Sequence, residues 1–236
     1  MKAILQETVA EMKGGLIVSI QADAGSPLNQ PAIIAALAQA VSVPGVVALR
    51  INGPENVAAV HAAVDLPVIG IYKTYDTLGR VWITPTYADA CSLAEAGAQI
   101  IAIDGTLRAE RLGEPFVEVA ARIHADLGLA VMADIASQEE AEHAVEAGAN
   151  LVATTLSGYT RLPEANPGDP PDLNLVADLA RILLIPVIAE GRYNTPKMAL
   201  QALEAGAHAV VVGSMITRPG MIASEFVRAL RAKGRQ

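Results

Sequence analysis

Leu66-Pro67-Val68-Ile69-Gly70-Ile71-Tyr72-Lys73 carries a run of apolar and small residues straight into an ammonium group. Such a run reads as a strand buried on both faces of a parallel sheet, with a functional group at its exit. A near-copy returns as Ile185-Pro186-Val187-Ile188-Ala189-Glu190-Gly191-Arg192, which ends on a carboxylate instead. Working outward from these two, further strands are expected at residues 16–22, 46–51, 99–104, 130–134, 151–155 and 209–212. Helical segments fall between them, over 31–40, 54–63, 86–96, 115–127, from Ser137, over 173–181, from Pro196 and over 218–232. Three of the helix ends share one grammar: Glu95-Ala96-Gly97-Ala98, Glu146-Ala147-Gly148-Ala149 and Glu204-Ala205-Gly206-Ala207. Each places a glycine where a helix terminus asks for positive φ, just ahead of a strand.

Eight strands alternating with helices in one chain of 236 residues predict an α/β fold, a single-domain (β/α)8 TIM barrel. A doubly wound, flavodoxin-like sheet is the competing arrangement; eight units favour closure. Residues 1–13 are expected to form a short helix that closes the bottom of the barrel, broken by Gly14-Gly15. Thr86 with Asp89, and Ser137 with Glu140, are expected to form capping boxes at two helix starts. Residues 157–171 form the longest irregular stretch, and are expected to be a mobile loop beside the site.

Hydrophobic residues make up 52% of the chain and aromatic residues only 3%, so Ala, Val, Ile and Leu fill the core. The net charge of −8 argues against a nucleic-acid surface or an anionic membrane as partner. It leaves room for a small anionic ligand, which one local arginine can hold. The single cysteine, Cys91, forbids an intrachain disulfide. No run approaches the ~20 uninterrupted apolar residues of a membrane span, and no signal-like segment opens the chain. A cytoplasmic location is the expectation.

Catalytic groups of such barrels sit at the C-terminal ends of the strands. The polar residues there are Gln21, Arg50, Lys73, Asp104, Asp134, Thr155, Glu190 and Ser214. Strands three and seven are opposite in a ring of eight, so Lys73 and Glu190 approach a bound molecule from two sides. A lysine acting as a base needs its pKa lowered from ~10.4 toward ~7–8 by burial or a neighbouring cation, and Arg50 is the candidate cation. The bland alternatives are an ion pair from Lys73 to Asp104 or Asp134, and one from Glu190 to Arg192 or Arg50. None of the four histidines falls at a strand end, so no metal site and no cofactor are expected. The loops after strands seven and eight, with Gly191 and Arg192, then Gly213, Ser214 and Arg218, have the composition of a phosphate site.

Several of these stretches together are similar to one family. Ser19-Ile20-Gln21-Ala22, Arg50, Ile69 to Lys73, Ala133-Asp134, the run from Ala189 to Pro196 and the run from Val211 to Pro219 resemble N-acetylmannosamine-6-phosphate 2-epimerases of sialic-acid catabolism. Ile20 stands where many members carry Cys, and the Pro-rich loop from Pro163 to Pro171 departs from their pattern. The resemblance implies interconversion of N-acetylmannosamine 6-phosphate and N-acetylglucosamine 6-phosphate by proton removal and return at C2. It implies Lys73 and Glu190 as catalytic groups, with Glu190 serving the C1 oxygen, ring opening or the opposite face. It implies Gln21, Arg50, Asp134, Gly191, Arg192, Gly213, Ser214 and Arg218 as substrate-binding residues, and a phosphorylated N-acetyl amino sugar as the partner. A homodimer through the outer helices is compatible with the many small apolar helix residues. A Schiff-base aldolase using Lys73 and a non-catalytic phosphosugar sensor are the alternatives. The first is open to borohydride trapping, the second to a turnover assay.

Overall fold

A computed structural model describes residues 2–23, 25–108, 112–160, 165–166 and 168–233. The side chains of residues 2–6, 232 and 233, and residues 161–164 and 167 of the expected mobile loop, lie outside the described set.

Among the described residues ten strands occur in chain order: β1 Leu16–Ile20, β2 Val46–Asn52, β3 Val68–Ile71, β4 Lys73–Tyr75, β5 Val81–Ile83, β6 Ile100–Asp104, β7 Ala130–Asp134, β8 Leu151–Ala153, β9 Val187–Glu190 and β10 Ala209–Val212. Eight close a parallel barrel in the order β1-β10-β9-β8-β7-β6-β3-β2, while β4 and β5 pair as a separate antiparallel hairpin. Helices α1 Lys2–Glu11, α2 Pro31–Val41, α3 Pro54–His61, α4 Tyr87–Glu95, α5 Phe116–Arg122, α6 Gln138–Glu146, α7 Leu173–Ile182, α8 Pro196–Glu204, α9 Ser214–Thr217 and α10 Pro219–Lys233 complete it.

The strands obey period two, so each sends alternate residues inward and outward. Ile17, Ala48, Ile69, Ile71, Ile100, Ala102, Met132, Leu151, Ile188 and Val211 belong to the cluster inside the barrel. Their neighbours Val18, Leu49, Ile51, Ile101, Ile103, Val131 and Val152 pack with helix residues in a second cluster. Continued to the strand exits, the same alternation places Arg50, Asp134 and Glu190 on the inner face. At the other end Val9 and Met12 of the α1 segment join the inner cluster, and Met12 has no exposed surface. The expected bottom closure is therefore present. Gly97, Gly148 and Gly206 all have φ near +100°, as the repeated helix-end grammar requires.

Three expectations are corrected. The third strand stops at Ile71, and Lys73, expected at its exit, instead opens the β4–β5 hairpin. The cause is local: Tyr72 and Thr84 exchange hydrogen bonds, with Thr84 N donating to Tyr72 O at 2.7 Å and Tyr72 N donating to Thr84 Oγ1 at 3.0 Å. The sixth strand ends at Ala153, because Thr154–Leu156 coil into a single tight turn. The last helix runs as expected, as α10 from Pro219, and a further short helix, α9, precedes it. The capping box at Thr86 is complete, but at Ser137 only half exists. There Glu140 accepts from Ala136 N at 2.7 Å and Leu107 N at 3.2 Å, tying α6 to two loops instead.

Candidate active site

A cavity of about 610 Å³ opens at the strand exits, lined by Gln21, Asn52, Lys73, Thr155, Glu190 and Arg218 among others. Lys73 and Glu190 both face it, from β3–β4 and β9, which are four places apart around the ring.

Beneath the cavity lies an ionic core. Arg50, with no exposed surface, donates from Nη1 to Asp134 Oδ1 at 2.9 Å and from Nη2 to Asp134 Oδ2 at 2.5 Å. Its Nη1 also lies 3.0 Å from Glu190 Oε2. Burial works against the Arg50 charge, but Asp134 and Glu190 more than offset this and hold it protonated. Arg50 and Asp134 thus sit under the cavity rather than in its lining. Of the bland alternatives, the Glu190–Arg50 pair is present. Among the described residues Lys73 pairs with neither aspartate: Asp134 belongs to Arg50, and Asp104 accepts from Arg108 Nη2 at 2.5 Å.

Lys73 lines the cavity and is half-buried, yet lies deep among protein atoms. Its pKa is lowered, first by burial and next by the Arg50 charge. Its backbone N–H donates to Asn52 Oδ1 at 2.9 Å, which fixes the hairpin base against β2. Glu190 is shifted the other way. Burial raises its pKa against the pull of Arg50, and Asp134 adds to the rise. Thr154 clamps the Glu190 backbone: its hydroxyl donates to Glu190 O at 2.9 Å and accepts from Glu190 N at 3.0 Å. Thr155 Oγ1 lies 2.6 Å from Asp134 Oδ1 and 3.1 Å from Glu190 Oε2. A lysine poised toward neutrality and a carboxyl poised toward protonation, across one cavity, can move a proton on and off a bound molecule.

The rim is built by the last strands. Gly191, Arg192, Gly213, Ser214 and Arg218 all line the cavity, as expected. Gly213 packs so close to β1 that an added Cβ would lie 3.2 Å from Ser19 Cβ. Thr217 Oγ1 donates to Ser19 O at 2.8 Å and fastens α9 there. Arg218 is held by Asp23. Arg192 does different work: Nε donates to Pro170 O at 3.1 Å and Nη1 to Ser157 O at 2.6 Å. Its guanidinium ties two rim loops together, and its φ of 60° is one of two positive values among non-glycine residues described.

The chain matches the family model NanE, "Putative N-acetylmannosamine-6-phosphate epimerase", over residues 34–232. The chain belongs to this epimerase family. A relative from Thermosynechococcus vestitus, named "Putative N-acetylmannosamine-6-phosphate 2-epimerase", is 47% identical over 222 residues, covering 94% of this chain and 96% of its own. One of the same name from Klebsiella pneumoniae is 48% identical, covering 93% and 91%. The solved N-acetylmannosamine-6-phosphate 2-epimerase of Clostridium perfringens superposes with a TM-score of 0.87 at 37% identity, covering 94% and 95%. A thiamine phosphate pyrophosphorylase from Pyrococcus furiosus, at 17% identity and a TM-score of 0.56, shares the fold alone.

Against this family frame, sequence reasoning left three residues without a role. Ser19 accepts from Gln21 Nε2 at 2.6 Å and leaves Gln21 Oε1 buried and unpaired. Period two from Gln21 already put Ser19 on the inner face. Asn52 follows Arg50 by the same rule. Arg108 gave no signal, since Trp82, on which it stacks, and Val81, whose carbonyl it meets, come from a distant stretch of the chain.

Proposed function

We propose that this protein interconverts N-acetylmannosamine 6-phosphate and N-acetylglucosamine 6-phosphate by inverting C2, within sialic-acid and amino-sugar catabolism. The observation that carries the reading is the opposed pair Lys73 and Glu190, with protonation preferences pushed toward each other across one cavity. C2 becomes acidic once the sugar ring opens and C1 is a carbonyl. Neutral Lys73 takes the C2 proton, and the C2–H electron pair forms the C1–C2 double bond. Glu190 gives its proton to O1, yielding an enol. The enol then turns its other face to protonated Lys73, which returns the proton to C2 while O1 hands its own back to Glu190, so both groups regain their starting states and the inversion is complete. The positive charge of Arg50 stands behind both groups and favours the anionic character that develops at O1.

The substrate roles follow placement. Gln21 Oε1 is an unpaired buried acceptor suited to the acetamido N–H. Gly191, Gly213, Ser214 and Arg218 receive the phosphate, with Ser214 opening α9, where unused N–H groups lie. Arg218 supplies the charge in preference to Arg192, two of whose donor groups are already given to carbonyls. Arg50 and Asp134 support the reacting centre from below. No cofactor enters the scheme. Two copies pair through outer helices; exposed Phe226 and Leu230 on α10 support this, and sedimentation velocity tests it.

The test is proton NMR in heavy water with N-acetylmannosamine 6-phosphate. Wild type is expected to form N-acetylglucosamine 6-phosphate with deuterium at C2, and Lys73→Ala to form none. Absence of both product and exchange in wild type would falsify the reading.

A further inference from the structure

Thr155 stands between two carboxylates with one hydroxyl proton to give. Its Oγ1 is 2.6 Å from Asp134 Oδ1 and 3.1 Å from Glu190 Oε2, and both distances are in hydrogen-bond range. A hydroxyl donates once and accepts through its lone pairs. If both carboxylates were ionised, one contact would bring oxygen lone pairs together with no hydrogen between them. If Glu190 carries a proton, both contacts are satisfied at once: Glu190 donates to Thr155, and Thr155 donates to Asp134. The geometry thus has one fully satisfied state, with Glu190 protonated, and a second, with Glu190 ionised, in which the Thr155 hydrogen turns to Glu190 and Asp134 keeps its two bonds from Arg50.

We propose that Thr155 is a positioning residue whose hydroxyl turns between Asp134 and Glu190 as Glu190 loses and regains its proton. This rests on the reading of Glu190 as the proton donor to O1. The proton leaves Glu190 for O1, and the electron pair of the former O–H bond stays on the carboxylate. The Thr155 hydrogen then rotates from Asp134 Oδ1 to Glu190 Oε2 without leaving Thr155. Asp134 keeps both guanidinium bonds from Arg50, so it tolerates the loss. On the return step the rotation reverses. No covalent bond to Thr155 breaks in either direction.

Neighbouring features agree. Thr155 lies in the tight turn Thr154–Leu156, not in β8, and Thr154 in the same turn holds the Glu190 backbone at both N and O. The turn therefore fixes Glu190 relative to Thr155 within hydrogen-bond tolerance. The charged groups that face this pair are Arg50 from β2, Asp134 from β7 and Lys73 from β4. Burial already favours protonated Glu190, and a Thr155 donor to the ionised form works against that preference. The hydroxyl keeps the proton transferable rather than locked on Glu190.

The experiment compares pH profiles of kcat/KM for wild type, Thr155→Val, Thr155→Ala and Thr155→Ser, with Glu190→Gln as reference. Valine keeps the shape and deletes the donor; alanine serves if the valine protein fails to fold. Without the donor, ionised Glu190 is less stable, so the alkaline limb moves up by about one pH unit. Serine restores the limb to its wild-type position. A merely structural role lowers activity evenly and leaves the limb in place, and that result overturns the proposal. If Glu190→Gln keeps the wild-type profile, the reading of Glu190 as acid fails first. If Glu190→Gln is inactive while the valine and alanine limbs coincide with wild type, only the role of Thr155 fails.

Discussion

Strand β3 is entered through Leu66-Pro67-Val68-Ile69 and β9 through Ile185-Pro186-Val187-Ile188, yet the charged groups beyond them are held in opposite ways. Lys73 follows one residue after its strand and is anchored by backbone, through the β4–β5 hairpin and Asn52. Among the described residues its ammonium has no ion-pair partner. Glu190 ends its strand and is anchored by its backbone, through Thr154, and also by its side chain, between Arg50 and Thr155. Similar burial therefore produces a solitary base and a networked acid. The solitary group costs stability and is free to react; the networked one shares its surroundings with every neighbour that is changed.

The largest expected effect breaks the solitary side. Lys73→Met should lower turnover ~10²–10⁴-fold, the usual range for loss of a general base. Because the Lys73 pKa is lowered on folding, the folded state binds its proton less well than the unfolded chain. That group's destabilising contribution grows as pH falls below 10.5 toward the lowered value. The methionine protein should thus melt at the same temperature as wild type or higher at pH 7, and calorimetry with a turnover assay checks both signs.

Next comes the networked side. Asp134→Leu leaves Arg50 buried with Glu190 alone, and should cost ~3–5 kcal/mol in urea denaturation as well as activity. A variant as stable as wild type would show that Glu190 alone is enough for Arg50. For Glu190 the sign is opposite to that of an ordinary salt-bridged acid. Its raised pKa favours folding below the unfolded value, and this contribution is lost as pH rises through the folded one. Glu190→Gln should therefore flatten part of the fall in stability toward alkaline pH.

The hairpin that carries Lys73 is itself tethered. Arg108 stacks on Trp82 at 3.8 Å from the ring centre, and its Nη groups donate to Val81 O at 3.2 Å. Arg108→Met should misplace Lys73 and lower kcat by up to ~100-fold, with KM less affected. A wild-type kcat would mean the hairpin holds its shape unaided. The smallest effect is expected at the equivalent tether after β9. Arg192→Ala removes the bonds to Ser157 O and Pro170 O, each worth ~0.5–1.5 kcal/mol, and should raise KM a few-fold without moving either pH limb.

The barrel was legible in the sequence because its determinants are short-range. Apolar runs of strand length, and the helix-end glycines at 97, 148 and 206, are read within ten residues of one another. Lys73 and Glu190 were legible for the same reason: each stands at the exit of such a run. Arg50 as the neighbouring cation followed from strand order. The rest depends on contacts between distant segments. Nothing in Lys73-Thr74-Tyr75 alone marks a hairpin; Val81-Trp82-Ile83, strand-forming residues across a turn with Gly79, was the available signal. Glu140 had the spacing of a capping box, but Leu107, 33 positions away, claimed its carboxylate. The role of Arg192 was invisible because its acceptors are carbonyls, which have no residue identity, and that of Arg108 because the hairpin residues Val81 and Trp82 it holds are far from it in sequence.

The seal that Val9 and Met12 place across the lower end of the barrel has a kinetic consequence. Among the described residues the vessel opens at the strand exits, where both epimers enter and leave. Each is then an obligatory competitor of the other for the same empty protein, and net conversion is governed by how fast the product is withdrawn outside. Initial rates measured with added product should show purely competitive inhibition; a noncompetitive component would mean that the product binds a form of the protein other than the one that takes the substrate.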